Sequence, residues 1–391
     1  MRDLLHNNRR ILVYLAVSNY LLNFGFVFWQ TTFNNFAVEQ IGVGPASVGW
    51  IQAFRELPGL LGFFLGFLAL LLSEMRIMAV SLVLLGSGIW LTGQSESVPF
   101  LLLSTLVMSF GFHFFYPSNN AVVLMTIEKQ HAPRVLGQLR SLGAIAAVTA
   151  TGAVYFLAGA WGYRTLFLVI GGAVAVGGLL LLPMQGVKEG LPLRRRVVLR
   201  RQYWLYYSLS FLMGSRRHIF TTFAIFLLVR EYGISVQTTA TLFLINSLVN
   251  TYAMQLVGKL VGQLGERFML SVAFGTLALV FLGYAYVTYL PVLFVLFVID
   301  NVMFGFNLAL ATYFQKIAVT PEEITSNLSV EQTINHIAAI VVPVVGGTVW
   351  QLFGSKVPFL AGVGIVLVSL VLAQGIRTQA EPVAVTTPTG G

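Results

Sequence analysis

The sequence predicts an all-α polytopic membrane protein with twelve transmembrane helices in two pseudo-symmetric six-helix bundles. Three observations carry that prediction. Of 391 residues, 57% are hydrophobic and only 9% are Asp, Glu, Lys or Arg, against about a quarter charged in a soluble domain whose surface must stay wetted. The apolar residues arrive in blocks long enough to cross a hydrocarbon core of about 30 Å at about 1.5 Å per residue. The basic residues sort by connection, as retained cytoplasmic positive charge requires. With the N-terminus inside, seventeen of the 23 Lys and Arg residues fall in cytoplasmic segments, three (Arg164, Arg230, Lys356) fall outside, and three (Arg55, Arg216, Arg217) lie within spans. The net charge of +9 is therefore mostly a topology signal and does not indicate nucleic acid. The absence of cysteine excludes disulfides and thiolate metal sites.

Cutting at charges, turn residues and Pro/Gly clusters places span 1 near 11–37. Arg2, Arg9 and Arg10 precede it as they would a signal peptide, but its length and lack of a small-residue cleavage site predict a retained span. Asn19, Asn23, Gln30 and Asn34 lie within about 60° on its helical wheel. In lipid such a stripe must point toward other helices or a water-filled pathway. Span 2 (46–72) carries Arg55-Glu56 before Pro58. Helical neighbours do not face each other, so each is expected to find a partner on another span. Glu56 is a candidate proton carrier or a locked ion-pair partner, and Gly62-x-x-x-Gly66 reads as close helix packing. Span 3 follows at 76–93. Span 4 (98–126) puts His113, Tyr116 and Asn120 on one face, with Pro117 freeing a carbonyl. Spans 5 and 6 cover 138–159 and 163–184.

A basic linker, 185–203, separates the expected N-terminal bundle (1–184) from the C-terminal bundle (204–377), and a Thr-, Pro- and Gly-rich tail (378–391) is expected to be disordered. Span 7 (204–229) carries Arg216-Arg217-His218 midway. At about 100° per residue the two arginines cannot share a direction. One is expected in the central cavity as a contact for an anionic substrate, the other in an ion pair within its bundle. Span 8 (236–262) adds Asn246 and Asn250, and span 9 covers 268–289. Span 10 (291–315) contains Asp300, with Asn307 and Gln315 within about 60° of it. Asp300 reads as a proton carrier or as the fixed partner of a span 7 arginine. Span 11 (331–352) opens with Glu331, Asn335 and His336, and span 12 covers 357–376. His113, His218 and His336 lie on three different helices with no i, i+4 pair, so spacing gives no metal site. There is no P-loop and no room for a catalytic domain, so neither ATP hydrolysis, an enzyme nor a cofactor is expected.

An internal repeat supports two parallel halves. Thr31-Thr32-Phe33 with Phe36 recurs as Thr221-Thr222-Phe223 with Phe226, Phe110-Gly111-Phe112 as Phe304-Gly305-Phe306, and Ile145-Ala146-Ala147 as Ile337-Ala338-Ala339.

Between spans 8 and 9, Gly258-Lys259-Leu260-Val261-Gly262-Gln263-Leu264-Gly265-Glu266-Arg267 resembles the Gly-x-Leu-Ala-Asp-Arg-x-Gly-Arg-type loop of the major facilitator superfamily. A more eroded copy runs from Gly66 to Glu74 between spans 2 and 3. Both lack the Asp of that signature, which puts the family's usual gating contact in doubt while leaving the fold. Arg134-x-x-Gly137, Trp161-Gly162-Tyr163-Arg164 and Pro343-x-x-Gly346-Gly347-x-x-Trp350 add to the likeness, which covers about residues 10–377. The resemblance implies a secondary transporter working by alternating access, with spans 1, 4, 7 and 10 around a central cavity. Its loops make Gly66, Glu74, Gly258, Gly265, Glu266 and Arg267 structural or gating candidates, and Arg55, within span 2, is a further one. The ionisable set within the spans sums to +1, which favours a small organic anion or amphiphile, with protons coupled through Asp300 or Glu56. The partners expected are that solute, protons and the lipid bilayer. The chain is expected to be a monomer in the cytoplasmic membrane with both termini inside. Two alternatives stay open: multidrug-type efflux, and a non-transporting receptor or assembly factor on the same scaffold.

Overall fold

A computed structural model describes residues 9–184 and 199–377. Arg2, most of the basic linker and the tail 378–391 lie outside the described residues. Among the described residues, ten helices are long and apolar enough to cross a bilayer. One of them, Ala132–Leu181, is two spans, because Gly162 at φ +72 breaks it, a conformation that only glycine adopts without strain. A further bent span joins Pro45–Leu60 to Leu65–Leu71 at 53°. The twelve predicted spans are all present.

Span 1 is Arg9–Glu39, span 3 Glu74–Gly93 and span 4 Val98–Thr126. Span 7 joins Trp204–Ile219 to Ile225–Arg230 through a π-helical turn, Phe220–Ala224. Span 8 is Val236–Leu264 and span 9 Glu266–Tyr286. Span 10 runs Leu290–Met303, a 3-10 turn Phe304–Phe306, then Asn307–Ile317. Span 11 is Pro321–Phe353 and span 12 Lys356–Ala373. Span 11 starts ten residues before the expected 331 because Pro321 occupies its first turn, where a missing N–H costs nothing.

The molecule is inverted relative to a soluble protein. Phe156, Leu180 and Val371 are more than 70% exposed, while Asn35, Arg216 and Asp300 are fully buried. Apolar side chains gain nothing by leaving lipid for protein, so helices are held by close packing and hydrogen bonds. Span 3 lies between spans 4 and 6 on small residues; a Cβ on Gly86 would stand 2.3 Å from the backbone N of Ala175 in span 6.

The two halves meet through spans 2 and 11 in the same way. A Cβ on Gly49 would stand 2.1 Å from the Pro343 carbonyl oxygen, and one on Gly347 2.3 Å from that of Pro45. Hydrogen bonds add to this contact. Arg230 Nη1 donates to the Val43 carbonyl at 2.9 Å. Asn35 Nδ2 donates to the Ile234 carbonyl at 2.8 Å and its Oδ1 accepts from Thr239 Oγ1 at 2.9 Å. These ties gather at the end of the molecule opposite Arg9 and Arg377, and close it. Toward the other end, Leu71, Leu124, Leu256 and Leu328 of spans 2, 4, 8 and 11 are exposed.

Candidate functional site

Between the halves lies a cavity of about 710 Å³, walled by spans 1, 2 and 4 on one side and 7, 10 and 11 on the other. Gln30, Arg55, Glu56, His113, Tyr116, Asn120, Arg217 and Asn307 from the sequence-predicted set line it. A second hollow of about 510 Å³ holds Asn19 and Asn23, and shares Tyr116 and Asn120 with the first. Part of the span 1 stripe is spent on helix ties: Asn19 Nδ2 donates to Asn119 Oδ1 at 2.7 Å, and Tyr116 OH to Asn23 Oδ1 at 3.0 Å. Phe26 and Phe112 stack at 3.9 Å and Tyr116 stands edge-on to Phe112, giving an aromatic wall.

The two span 7 arginines diverge, as the helical step requires. Arg216 is wholly buried and outside the cavity lining; its Nη1 meets Asp300 Oδ1 at 3.1 Å, and Nη2 donates to the Met303 carbonyl at 3.2 Å. Arg217 lines the cavity and is exposed to it. Its guanidinium sits 5.5 Å from the Phe304 ring centroid, and no described carboxylate pairs with it at salt-bridge distance. The helix continues into the π turn Phe220–Ala224, a distortion often found at functional positions.

Span 10 does not keep the expected common face of Asp300, Asn307 and Gln315. The three residues of the 3-10 turn advance at about 120° each where an α-helix turns about 100°, which rotates everything after Phe306 by about 60°. Asp300 is consequently sealed with Arg216, Asn307 reaches the cavity, and Gln315 is exposed.

A second departure concerns Arg55 and Glu56, which pair with each other although adjacent. Arg55 Nη2 and Nε reach Glu56 Oε1 at 2.8 and 3.2 Å. The guanidinium stem is long enough to fold along the helix onto its neighbour. Glu56 still has a distant partner through its other oxygen: Oε2 lies 3.2 Å from His336 Nδ1 in span 11 and 3.8 Å from His113 Nε2 in span 4. The rings of His113 and His336, 223 positions apart in sequence, are 5.4 Å apart.

The loop candidates stay within their own halves. Glu266 accepts from Lys316 Nζ at 2.7 Å, tying the start of span 9 to the end of span 10. Arg267 donates to Gln374 Oε1 from Nε and Nη2 at 3.1 and 3.0 Å. Gly265, at φ +79, makes the turn between spans 8 and 9. A Cβ on Gly258 would stand 3.7 Å from Leu308 Cδ2, and Glu74 is buried in the first turn of span 3. Gly66 lies in the bent end of span 2, where a Cβ on it or on Gly62 would meet nothing within 4 Å, so this pair does not make the expected close helix contact. Two participants, Gly59 and Ser109, carry no sequence signal. A Cβ on Gly59 would stand 2.2 Å from His336 Cε1, and Ser109 holds His113.

Twelve spans around a polar cavity between two halves define the class, a polytopic helical membrane protein with a transporter fold. The chain belongs to the Major Facilitator Superfamily, whose family model matches residues 12–323. No curated protein matches it. Among solved structures it is similar to the nucleoside transporter NupG, at 16% identity over 93% of this chain and 98% of that one, with a TM-score of 0.77. It is also similar to a bacterial homologue of the human lysosomal transporter Spinster in an inward-facing, occupied conformation, at 15% identity over 95% and 97% of the two chains, with a TM-score of 0.76. These likenesses speak for the fold.

Proposed function

We propose that this protein is a secondary active transporter that carries a small organic anion or amphiphile across the cytoplasmic membrane by alternating access. One observation carries the substrate class: Arg217 is exposed to the cavity with no described carboxylate against it, while the adjacent Arg216 is neutralised by Asp300. A cation at bilayer depth is costly unless water or an anion meets it. Gln30, Tyr116, Asn120 and Asn307 supply further polar contacts, and Phe26 and Phe112 an apolar face. Asn19 and Asn23 belong to the adjoining hollow. With the N-terminus cytoplasmic, the closed end is the outer one and the cavity belongs to an inward-facing state. The halves, 1–184 and 204–377, rock about the span 2 and span 11 contact.

Coupling to protons is assigned to Asp300. Both oxygens of Glu56 are engaged, whereas Asp300 Oδ2 is buried with no hydrogen-bond partner among the described residues and offers a place for a proton. Protonation there would release Arg216, next to the anion-binding Arg217.

The test is uptake of labelled small carboxylates into proteoliposomes under an imposed proton gradient. Arg217→Gln is expected to lose uptake. Asp300→Asn is expected to lose accumulation against a gradient while retaining exchange. Wild-type uptake by Arg217→Gln would refute the anion assignment, and gradient-driven accumulation by Asp300→Asn would refute the coupling assignment.

A further inference from the structure

At the base of the cavity three groups converge from three helices and both halves. Glu56 comes from span 2, His113 from span 4 and His336 from span 11. The donor atoms Glu56 Oε2, His113 Nε2 and His336 Nδ1 all lie within 4.8 Å of one another. We propose that they form a binding site for one divalent transition-metal cation, of the zinc type, that clasps the two halves together at the closed end.

The two separations from Glu56 suit such an ion. Two bonds of about 2.0–2.1 Å at a tetrahedral angle hold their ligand atoms about 3.3 Å apart. The Glu56–His336 separation is 3.2 Å and the Glu56–His113 separation 3.8 Å. The first needs no change and the second a shift of about half an ångström. Two imidazoles with one carboxylate form a three-ligand zinc set that leaves a fourth position open. Here the fourth position faces the cavity, where water or an anion completes it.

The hydrogen bonds around His113 set its ring for this role. Ser109 Oγ donates its one proton to the Arg55 carbonyl. Toward His113 Nδ1, at 2.9 Å, that oxygen can therefore only accept, as can the Ser109 carbonyl at 3.0 Å. Nδ1 carries the hydrogen, and in the neutral ring Nε2 turns a lone pair toward the Glu56 carboxylate. Two electron-rich atoms facing each other repel unless a proton or a metal cation lies between them. An imidazole N–H given to an oxygen, with the opposite nitrogen free, is the arrangement that orients histidine metal ligands.

His336 is held just as firmly. It is 6% exposed, and its ring edge seats against Gly59, where any side chain would collide with it. Arg55 occupies Glu56 Oε1; Oε2, which faces His336 Nδ1 at 3.2 Å, exchanges that hydrogen bond for the ion, the ring hydrogen moving to His336 Nε2, which is buried with no hydrogen-bond partner among the described residues. The positive neighbours are Arg55, already offset by Glu56, and Arg217, which favours an anion at the open position. Because His336 belongs to one half and Glu56 with His113 to the other, a bound ion resists opening of this end.

The test uses the full-length purified protein, with any affinity tag removed, in nanodiscs. Zinc chloride is titrated by calorimetry and by thermal unfolding, with chelator-treated samples as reference. Wild type is expected to bind one zinc per chain and to unfold at higher temperature with it. His113→Ala and His336→Ala are expected to bind at least 100-fold more weakly and to show no zinc-dependent rise over their own chelator-treated samples. Ser109→Ala, which removes only the hydroxyl, is expected to bind 10- to 100-fold more weakly. Cobalt(II) is expected to give tetrahedral ligand-field bands in wild type and none in His336→Ala. The absence of any zinc-dependent shift in wild type would overturn the proposal, as would equal zinc binding by both histidine variants. Neither result touches the Arg217 assignment, which uptake by Arg217→Gln tests separately.

Discussion

Arg216 and Arg217 are consecutive, chemically identical and on the same helix, yet the structure gives them opposite roles, and single substitutions should separate the two. Arg216→Gln removes the charge facing Asp300, both groups being no more than 1% exposed, and strands a carboxylate in a low-dielectric interior. Breaking one side of a buried ion pair costs about 3–5 kcal/mol. The double variant Arg216→Gln/Asp300→Asn removes both charges and should recover most of that loss. Arg217→Gln breaks no described ion pair and loses mainly a cation–π contact to Phe304, so its stability should fall by about 1 kcal/mol or less. Its effect falls on the anion: losing one charged hydrogen bond of about 1.5–3 kcal/mol weakens binding by roughly 10- to 150-fold. The assay is thermal unfolding of the purified variants beside uptake in proteoliposomes. If Arg216→Gln and Arg217→Gln were equally stable, or if the double variant were no better than the single, the assignment of one sealed and one open arginine would be wrong.

Gly59→Ala should displace the His336 ring, whose Cε1 would stand 2.2 Å from the new Cβ, and destabilise the closed end; a cysteine pair placed across spans 2 and 11 would then crosslink more slowly than in the parent. Lys316→Met strands the buried Glu266 carboxylate, whose partner it removes, and should lower the unfolding temperature, with Glu266→Gln/Lys316→Met restoring it. Arg200 and Tyr203 hydrogen bonds hold the carboxyl of Glu323, which precedes the membrane-crossing stretch Ser326–Phe353, below the usual carboxylate range. The stabilisation this gives is complete above the unfolded value of about 4.3 and is lost as pH falls through the lower folded value. Wild type should therefore exceed Glu323→Gln in unfolding temperature by a constant margin from pH 7 to 5, and the margin should close below about pH 4; a margin that persists in acid would assign it to packing.

The spans could be read from sequence because hydropathy is local: twenty apolar residues must cross lipid whatever their neighbours do. The divergence of Arg216 and Arg217 could be read too, since it needs only the 100° step of a helix. The facing of Asp300 and Asn307 could not, because it depends on a 3-10 turn at Phe304–Phe306 that no residue in that segment compels. Adjacent Arg55 and Glu56 were expected to look elsewhere, and a flexible guanidinium overrode the rule that helical neighbours do not meet. The meeting of Glu56 with His336 was the least legible, since the two are 280 positions apart. It follows from Gly49, Gly59 and Gly347 letting spans 2 and 11 approach, and such glycines look the same in sequence as those that merely pack helices within a half.

The central claim is that the cavity between the halves takes an anionic solute through Arg217. It is tested most directly by ligand-induced thermal stabilisation, because a ligand that binds the folded state alone raises stability by mass action. Purified wild type and Arg217→Gln are compared against a panel of small carboxylates, neutral analogues of the same size, and hydrophobic cations. The account predicts that a subset of the carboxylates stabilises wild type and that Arg217→Gln loses this response while its unfolding temperature without ligand falls only by the small loss of the Phe304 contact. Stabilisation by the neutral analogues or cations alone, or an undiminished carboxylate response in Arg217→Gln, would contradict it.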